Sequence, residues 1–232
     1  MTFIPTLALI KNSLLVVGTY NVRGLSDKLK TRRILNYVAC KKFDRLIYSF
    51  QETHITESRR SELEHCWRGE FLWAPGESNA RGVLTLYNTT LFDQILYKFG
   101  NPNGRSTWLA GTVGGLNELF VSIYSPNNGK NKEFYIAFLK EVKNICTLYN
   151  IDNIYILGDL NVNLHYTNTV TKSKNKLLKA ILKELRNLEL EILSDKPPTN
   201  TWNHGNKFST LDYVIVSKHL SKFAKSLSTI WG

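Results

Sequence analysis

The chain has 232 residues, 43% of them hydrophobic and 12% aromatic, which is enough apolar material for one substantial core and argues against global disorder. Lys and Arg number 30 against 19 Asp and Glu; a net charge of +11 favours a polyanionic partner, nucleic acid being the commonest, although many basic proteins bind none. Three cysteines, Cys40, Cys66 and Cys146, are odd in number and fit no zinc spacing, so they read as reduced thiols of an intracellular protein, and no run approaches the ~18 apolar residues of a membrane span.

Phe3 to Ile10 is apolar but short, contains Pro5 and has no basic region before it. It reads as a loose leader within residues 1–13, or an extra edge segment, rather than a signal peptide. Leu14 to Tyr20 is a continuous apolar run, as a buried strand would be. Lys28 to Phe43 has helical spacing, Leu46 to Phe50 is a second buried strand, and Thr56 to Trp67 reads as a helix.

The rhythm then changes. Phe71 to Trp73, Gly82 to Tyr87, Phe92 to Lys98, Thr107 to Val113 and Leu119 to Tyr124 are short apolar or alternating runs separated by Gly, Asn and Pro, the pattern of antiparallel strands. Glu133 to Leu148 carries a helical stripe of Phe134, Phe138, Val142 and Ile145. Ile154 to Leu157 predicts a strand, Ser173 to Leu188 a helix, and Thr199 to Trp202 and Leu211 to Val216 two more strands. No linker divides the chain, so residues 1–232 are expected to form one domain. The middle block has no crossover helices for a parallel sheet. The order predicts an α/β (α+β) four-layer sandwich: two mostly antiparallel sheets packed face to face with helices outside.

Several strands end in polar residues that a core would not select: Asn21, Gln51-Glu52, Tyr124 to Asn127, Asp159 to Asn161, and Asp212. Any one is explained by turn chemistry. Gathered at one rim, they would make a hard-oxygen site suited to Mg²⁺ and phosphate.

These residues carry a family resemblance. TYNVRGL (19–25), SFQETHI (49–55), SIYSPNN (122–128), LGDLNVN (157–163) and STLDYVIVS (209–217) resemble, in order, the motifs of the endonuclease/exonuclease/phosphatase superfamily. RGVLTLYN (81–88) and NPNGRSTWLAGTV (101–113) look most like the apurinic/apyrimidinic-endonuclease-like domain of LINE-type non-LTR retrotransposons. The resemblance implies a Mg²⁺- or Mn²⁺-dependent endonuclease that nicks target DNA to prime reverse transcription. A reverse-transcriptase domain would follow in the same polyprotein, and the site of action would be the nucleus. It also implies roles. Glu52 would bind the metal, with Asn21 supporting it or a phosphate oxygen. Asp159 would orient or deprotonate the attacking water, Asn161 would donate to the scissile phosphate, and Tyr124 would donate to the same group or orient its neighbours. Asn127 would support Tyr124.

Two departures stand out. Arg23 occupies the position where abasic-site enzymes carry an Asp, and it could meet a DNA phosphate. Lys28, Lys30, Arg32 and Arg33 could extend that contact, although a solvated helix face is the simpler reading. The family pairs the Asp at the Asp212 position with a His of a terminal Ser-Asp-His motif, expected immediately after Gly232. None of His54, His65, His165, His204 or His219 lies in such a motif. The sequence therefore predicts a missing final strand, its sheet position open or filled by another segment such as Phe3 to Ile10, and weak or no nicking by this form. The other readings are a nucleotide or phospholipid phosphoesterase of the same fold and a non-catalytic DNA-binding remnant.

Overall fold

The computed structural model describes residues 6–10, 15–40, 45–127, 132–165, 172–194, 200–204 and 206–229. In chain order the elements are β1 (Thr6–Ile10), β2 (Leu15–Asn21), α1 (Lys28–Ala39), β3 (Arg45–Gln51), α2 (Arg60–Cys66), β4 (Glu70–Ala74), β5 (Val83–Tyr87), β6 (Gln94–Gly100), β7 (Ser106–Val113) and β8 (Leu116–Tyr124). They continue with α3 (Lys132–Tyr149), β9 (Asn153–Asp159), α4 (Lys172–Asn187), β10 (Leu190–Leu193), β11 (Trp202–His204), β12 (Lys207–Ser209), β13 (Asp212–Ser217), α5 (Lys218–Ser221) and β14 (Ala224–Thr229).

Two six-stranded sheets result, with strand orders β14-β1-β2-β3-β5-β4 and β10-β13-β9-β8-β7-β6, and β11 and β12 form a separate antiparallel hairpin. Each sheet has a single parallel pair, β2 with β3 and β8 with β9. These are the two places where a helix returns the chain, α1 and α3, as parallel pairing requires. The remaining pairs are antiparallel, as the uninterrupted run of short strands predicts.

Three apolar layers hold the sandwich together. Val16, Ile34, Leu35, Val38, Leu46, Phe50 and Leu63 seal α1 and α2 onto the first sheet. Leu15, Val17, Tyr87, Leu109, Phe120, Leu157 and Val214 fill the space between the sheets. Val121, Phe138, Val142, Ile156, Leu178 and Ile181 seal α3 and α4 onto the second. Helix α1 starts where Asp27 accepts hydrogen bonds from the Leu29 and Lys30 amides at 2.7 and 3.3 Å.

One expectation needs correction. The opening segment is not loose over its described part: β1 pairs antiparallel with β2 on one side and β14 on the other. Residues 1–5 and 11–13 lie outside the described residues. The leader segment is itself the sheet neighbour of β2, one of the two outcomes expected for a missing strand, and β14 follows at the edge. The physical reason is an unsatisfied ladder: the apolar TLALI segment has both the β propensity and the backbone groups to complete it. Among the described residues, no helix is long and apolar enough to cross a membrane.

Candidate active site

The parallel ladder between β2 and β3 does not stop where the strands end. Val22 N donates to Gln51 O at 2.9 Å, Gly24 N to Glu52 O at 2.6 Å and Leu25 N to Thr53 O at 2.8 Å. On the other side Thr53 N donates to Gly82 O at 3.1 Å and His54 N to Arg81 O at 2.9 Å. These bonds hold Glu52 at φ 52° and Arg23 at φ 49°, left-handed conformations that cost a non-glycine residue of order 1–3 kcal/mol unless the surroundings enforce them. Asn161 is held likewise at φ 49°.

The second sheet brings its own groups to the same rim. Gly158 immediately precedes Asp159, with φ +144°, and a Cβ there would stand 2.0 Å from Ile123 O. Only glycine lets β9 approach β8 this closely. Asp159 and Asp212 are Cα partners across β9 and β13. The two sheets meet through Asn21, whose amide donates to Glu52 Oε1 at 3.0 Å and Asp159 Oδ2 at 2.8 Å. Its own oxygen accepts from Arg23 N at 3.1 Å. Asp159 Oδ1 takes the Asn161 amide N–H at 2.8 Å, and Asn161 Nδ2 donates to Ser125 O at 2.8 Å.

A cleft of about 340 Å³ opens over these groups, lined by Asn21, Arg23, Glu52, Asn127, Asp159, Asn161 and Asp212. Seven of the eight residues singled out from sequence thus share one cleft. Tyr124 does not line it. It is buried, its hydroxyl engages Glu52, and the Arg105 guanidinium lies 4.8 Å from its ring centroid. Its geometry is that of a group orienting a neighbour.

Burial raises the pKa of both aspartates. Asp212 is 9% exposed and pushed up to about 6. Asp159, 4% exposed, is raised well above its ordinary value by burial and then by Asp212, while Asn21 pulls it back. Asp212 Oδ1 is buried without a hydrogen-bond partner among the described residues. A cation facing this rim would relieve such crowding. Among the described residues no three His, Cys, Asp or Glu side chains form a closed chelating group. The rim therefore fits an ion held by one or two protein oxygens with water or phosphate completing its shell, the habit of Mg²⁺, and does not fit a closed zinc site.

Three of the histidines are held by other groups. His219 Nε2 is 2.8 Å from Asn153 Oδ1, at the opposite end of β13 and β9. His54 packs against Gly24, and burial lowers its pKa. His165 packs against Tyr213.

Four residues at or beside the rim escaped sequence reasoning. Thr201 Oγ1 accepts from Leu211 N at 3.0 Å and Asp212 N at 3.1 Å, and its hydroxyl also bonds the Asp212 carboxyl. Trp202 and Asn203, at the start of the β11–β12 hairpin, line the cleft. Arg105 is half-buried beside Tyr124; only its place within the 101–113 resemblance hinted at it.

Fold and rim together define a two-sheet α/β sandwich with a carboxylate- and amide-lined cleft where both sheets end. The chain belongs to the endonuclease/exonuclease/phosphatase family, whose sequence model matches residues 18–230. Its members are hydrolytic nucleases and phosphatases and generally use divalent metals. Solved structures of the same fold include an AP endonuclease from Leishmania major, with 17% identity, TM-score 0.68, and coverage of 89% of this chain and 80% of that one. A 3'-5' exonuclease from Neisseria meningitidis has 15% identity, TM-score 0.63 and coverage of 89% and 88%. A mannosyl-6-phosphatase from Bacteroides thetaiotaomicron has 17% identity, TM-score 0.59 and coverage of 88% and 85%.

Proposed function

We propose that this chain is a divalent-metal-dependent DNA endonuclease, and that it serves a LINE-type retrotransposon by nicking target DNA to prime reverse transcription. The observation that carries the catalytic part is the Asn21 bridge between Glu52 and Asp159, with Asp212 opposite Asp159. The net charge of +11 supports a polyanionic substrate. The motifs at 81–88 and 101–113 support the retrotransposon assignment and, with it, a reverse-transcriptase domain in the same polyprotein and action in the nucleus.

In this reading Glu52 would hold a Mg²⁺ or Mn²⁺ ion, with Asn21 fixing its carboxylate. The ion, when bound, neutralises charge on the scissile phosphate. Asp159 takes the proton of the attacking water, for which its raised pKa suits it. Asn161 uses one amide hydrogen on Ser125 O, which orients the side chain for donation to a phosphate oxygen. Asp212, opposite Asp159, raises the affinity of Asp159 for a proton and so strengthens it as a base. Tyr124 orients Glu52, and Arg23 and Asn127 contact the flanking phosphodiester.

The test is relaxation of supercoiled plasmid with Mg²⁺ or Mn²⁺, set against EDTA and against Asp159→Ala. Nicking that requires both the ion and Asp159 supports the reading. Hydrolysis of a small phosphomonoester with no action on DNA would replace it with a phosphatase; binding of DNA without hydrolysis of either substrate would replace it with a non-catalytic role.

A further inference from the structure

The site takes Asn21 and Glu52 from one sheet and Tyr124, Asp159 and Asp212 from the other. Its geometry therefore depends on how the sheets are offset. The apolar layer between them resists separation, but apolar contact is non-directional and discriminates poorly between small slides. Besides the Asn21 and Tyr124 contacts at the rim, directional contacts lie in a buried polar seam. Ser49 on β3 is hydrogen-bonded to Ser122 on β8. Gln51 Nε2 donates to Ser49 Oγ at 2.6 Å and Ser122 Oγ at 3.3 Å, and Gln51 Oε1 accepts from Thr19 Oγ1 at 3.1 Å. One strand over in each sheet, level with Ser49 and Ser122, Thr85 on β5 meets Thr107 on β7 at 2.7 Å. Thr19, Ser49 and Gln51 are 0% exposed, and the other three are buried.

Apolar residues of similar volume would pack this interface at least as well. Once polar groups are placed in it, each one left unpaired costs about 1–3 kcal/mol. The seam is thus satisfied at one offset and penalised at others. Gln51 is the chain neighbour of Glu52, and its backbone carbonyl also receives Val22 N. We propose that Gln51 is a positioning residue. Through Ser49 and Ser122 it fixes the offset at which Glu52 and Asp159 both come within reach of the single Asn21 amide. The inference deepens the catalytic reading above and rests on it for its consequence in rate.

The test replaces Gln51 with Met, which keeps the bulk and removes both hydrogen-bonding ends, in the full chain. Three readouts are taken: thermal midpoint, hydrogen exchange of the Asn21 side-chain amide in metal-free protein, and plasmid nicking. The expected result is an unchanged or raised midpoint, loss of Asn21 protection by at least ~10-fold, and a kcat lowered at least ~10-fold with KM for DNA little changed. The triple change Gln51→Leu, Ser49→Ala, Ser122→Ala serves as the second variant and is expected to behave alike, while Thr85→Val with Thr107→Val, farther from Glu52, costs less. Asn21 protection and nicking that both stay at wild-type levels in a folded Gln51→Met protein would overturn the proposal. If the wild type does not nick DNA but its Asn21 protection still depends on Gln51, the positioning role stands and the catalytic reading fails.

Discussion

Asp159 and Asp212 face each other across neighbouring antiparallel strands, and both are buried. Like charges placed opposite in a sheet are destabilising, and burial removes the water that would screen them. Such a pair is retained at a stability cost, which is the usual mark of a working site.

The first prediction concerns pH. A carboxyl whose pKa is higher in the folded than in the unfolded state holds its proton more tightly when folded. The stabilisation is present at low pH and is lost as pH rises through the interval between the ordinary 3.8 and the folded value of about 6 for Asp212, with Asp159 shifted in the same direction. Metal-free protein should therefore lose stability across that interval. Asp212→Asn should flatten the slope and raise stability at pH 8 by about 1–3 kcal/mol, while abolishing nicking. Thermal melts in EDTA at several pH values measure this; an unchanged slope would remove the pair as its origin.

The Asn21 bridge gives a second. Asn21→Ala leaves Glu52 and Asp159 without their shared donor, so metal-free stability should fall by about 1–3 kcal/mol. Asn21→Asp adds a third carboxylate between them and should be worse. For both variants nicking should drop about 10²–10³-fold. A rate within threefold of wild type for Asn21→Ala would mean that the bridge has no catalytic importance.

Metal binding is tested by linkage. Mn²⁺ at 100 times its dissociation constant should stabilise the wild type by about 2.7 kcal/mol. Glu52→Gln should remove most of that gain. An equal shift in the variant would show that the ion sits elsewhere.

Gly158 provides a structural test away from any ligand. Gly158→Ala forces a Cβ to within 2.0 Å of Ile123 O and should destabilise the fold by about 3 kcal/mol or more. Gly114→Ala, also at positive φ (+57°) but with nothing within 4 Å, isolates the backbone strain alone and should cost only about 1–2 kcal/mol. Equal midpoints for the two variants would contradict the close approach of β8 and β9.

DNA affinity should be strongly salt-dependent. With Asp159→Asn to prevent cleavage, contact with six to ten phosphates would weaken binding by about 10³–10⁵ between 50 and 200 mM salt. Arg23→Ala should reduce the slope of log affinity on log salt by about one. A flat dependence would argue for a small-molecule substrate.

Much of this was legible in the sequence because it is written in local periodicity. The stripes of α1, α3 and α4 and the apolar runs of β2, β3 and β9 announce which faces are buried. Asn21, Glu52, Asp159, Asn161 and Asp212 stand out because amides and carboxylates are out of place at the ends of such runs. What stayed hidden is set by distant neighbours. The short strands β10, β12 and β14 have no strong pattern of their own and exist because a partner offers an edge. Thr201 and Arg105 matter through contacts with Asp212 and Tyr124, distant in sequence. The left-handed turn at Glu52 is imposed by the bonds of Gly24 and Thr53, not by any preference of glutamate.

The backbone ladder running past β2 and β3 into the loops at 22–25 and 51–54 has a last consequence. Catalytic loops are commonly the first parts of a protein to open, yet here the Val22, Gly24, Leu25, Thr53 and His54 amides are all bonded across to neighbouring segments. The groups around Glu52 are stiff before any substrate arrives. On the proposed endonuclease reading, with the loops around Glu52 held by these bonds, adjustment during the encounter would fall on the nucleic acid, and a duplex would have to bend or widen its groove to bring a phosphate down to this rim. Stretches that deform cheaply would then be cut in preference to rigid ones, giving a choice of cleavage site without any side chain reading a base.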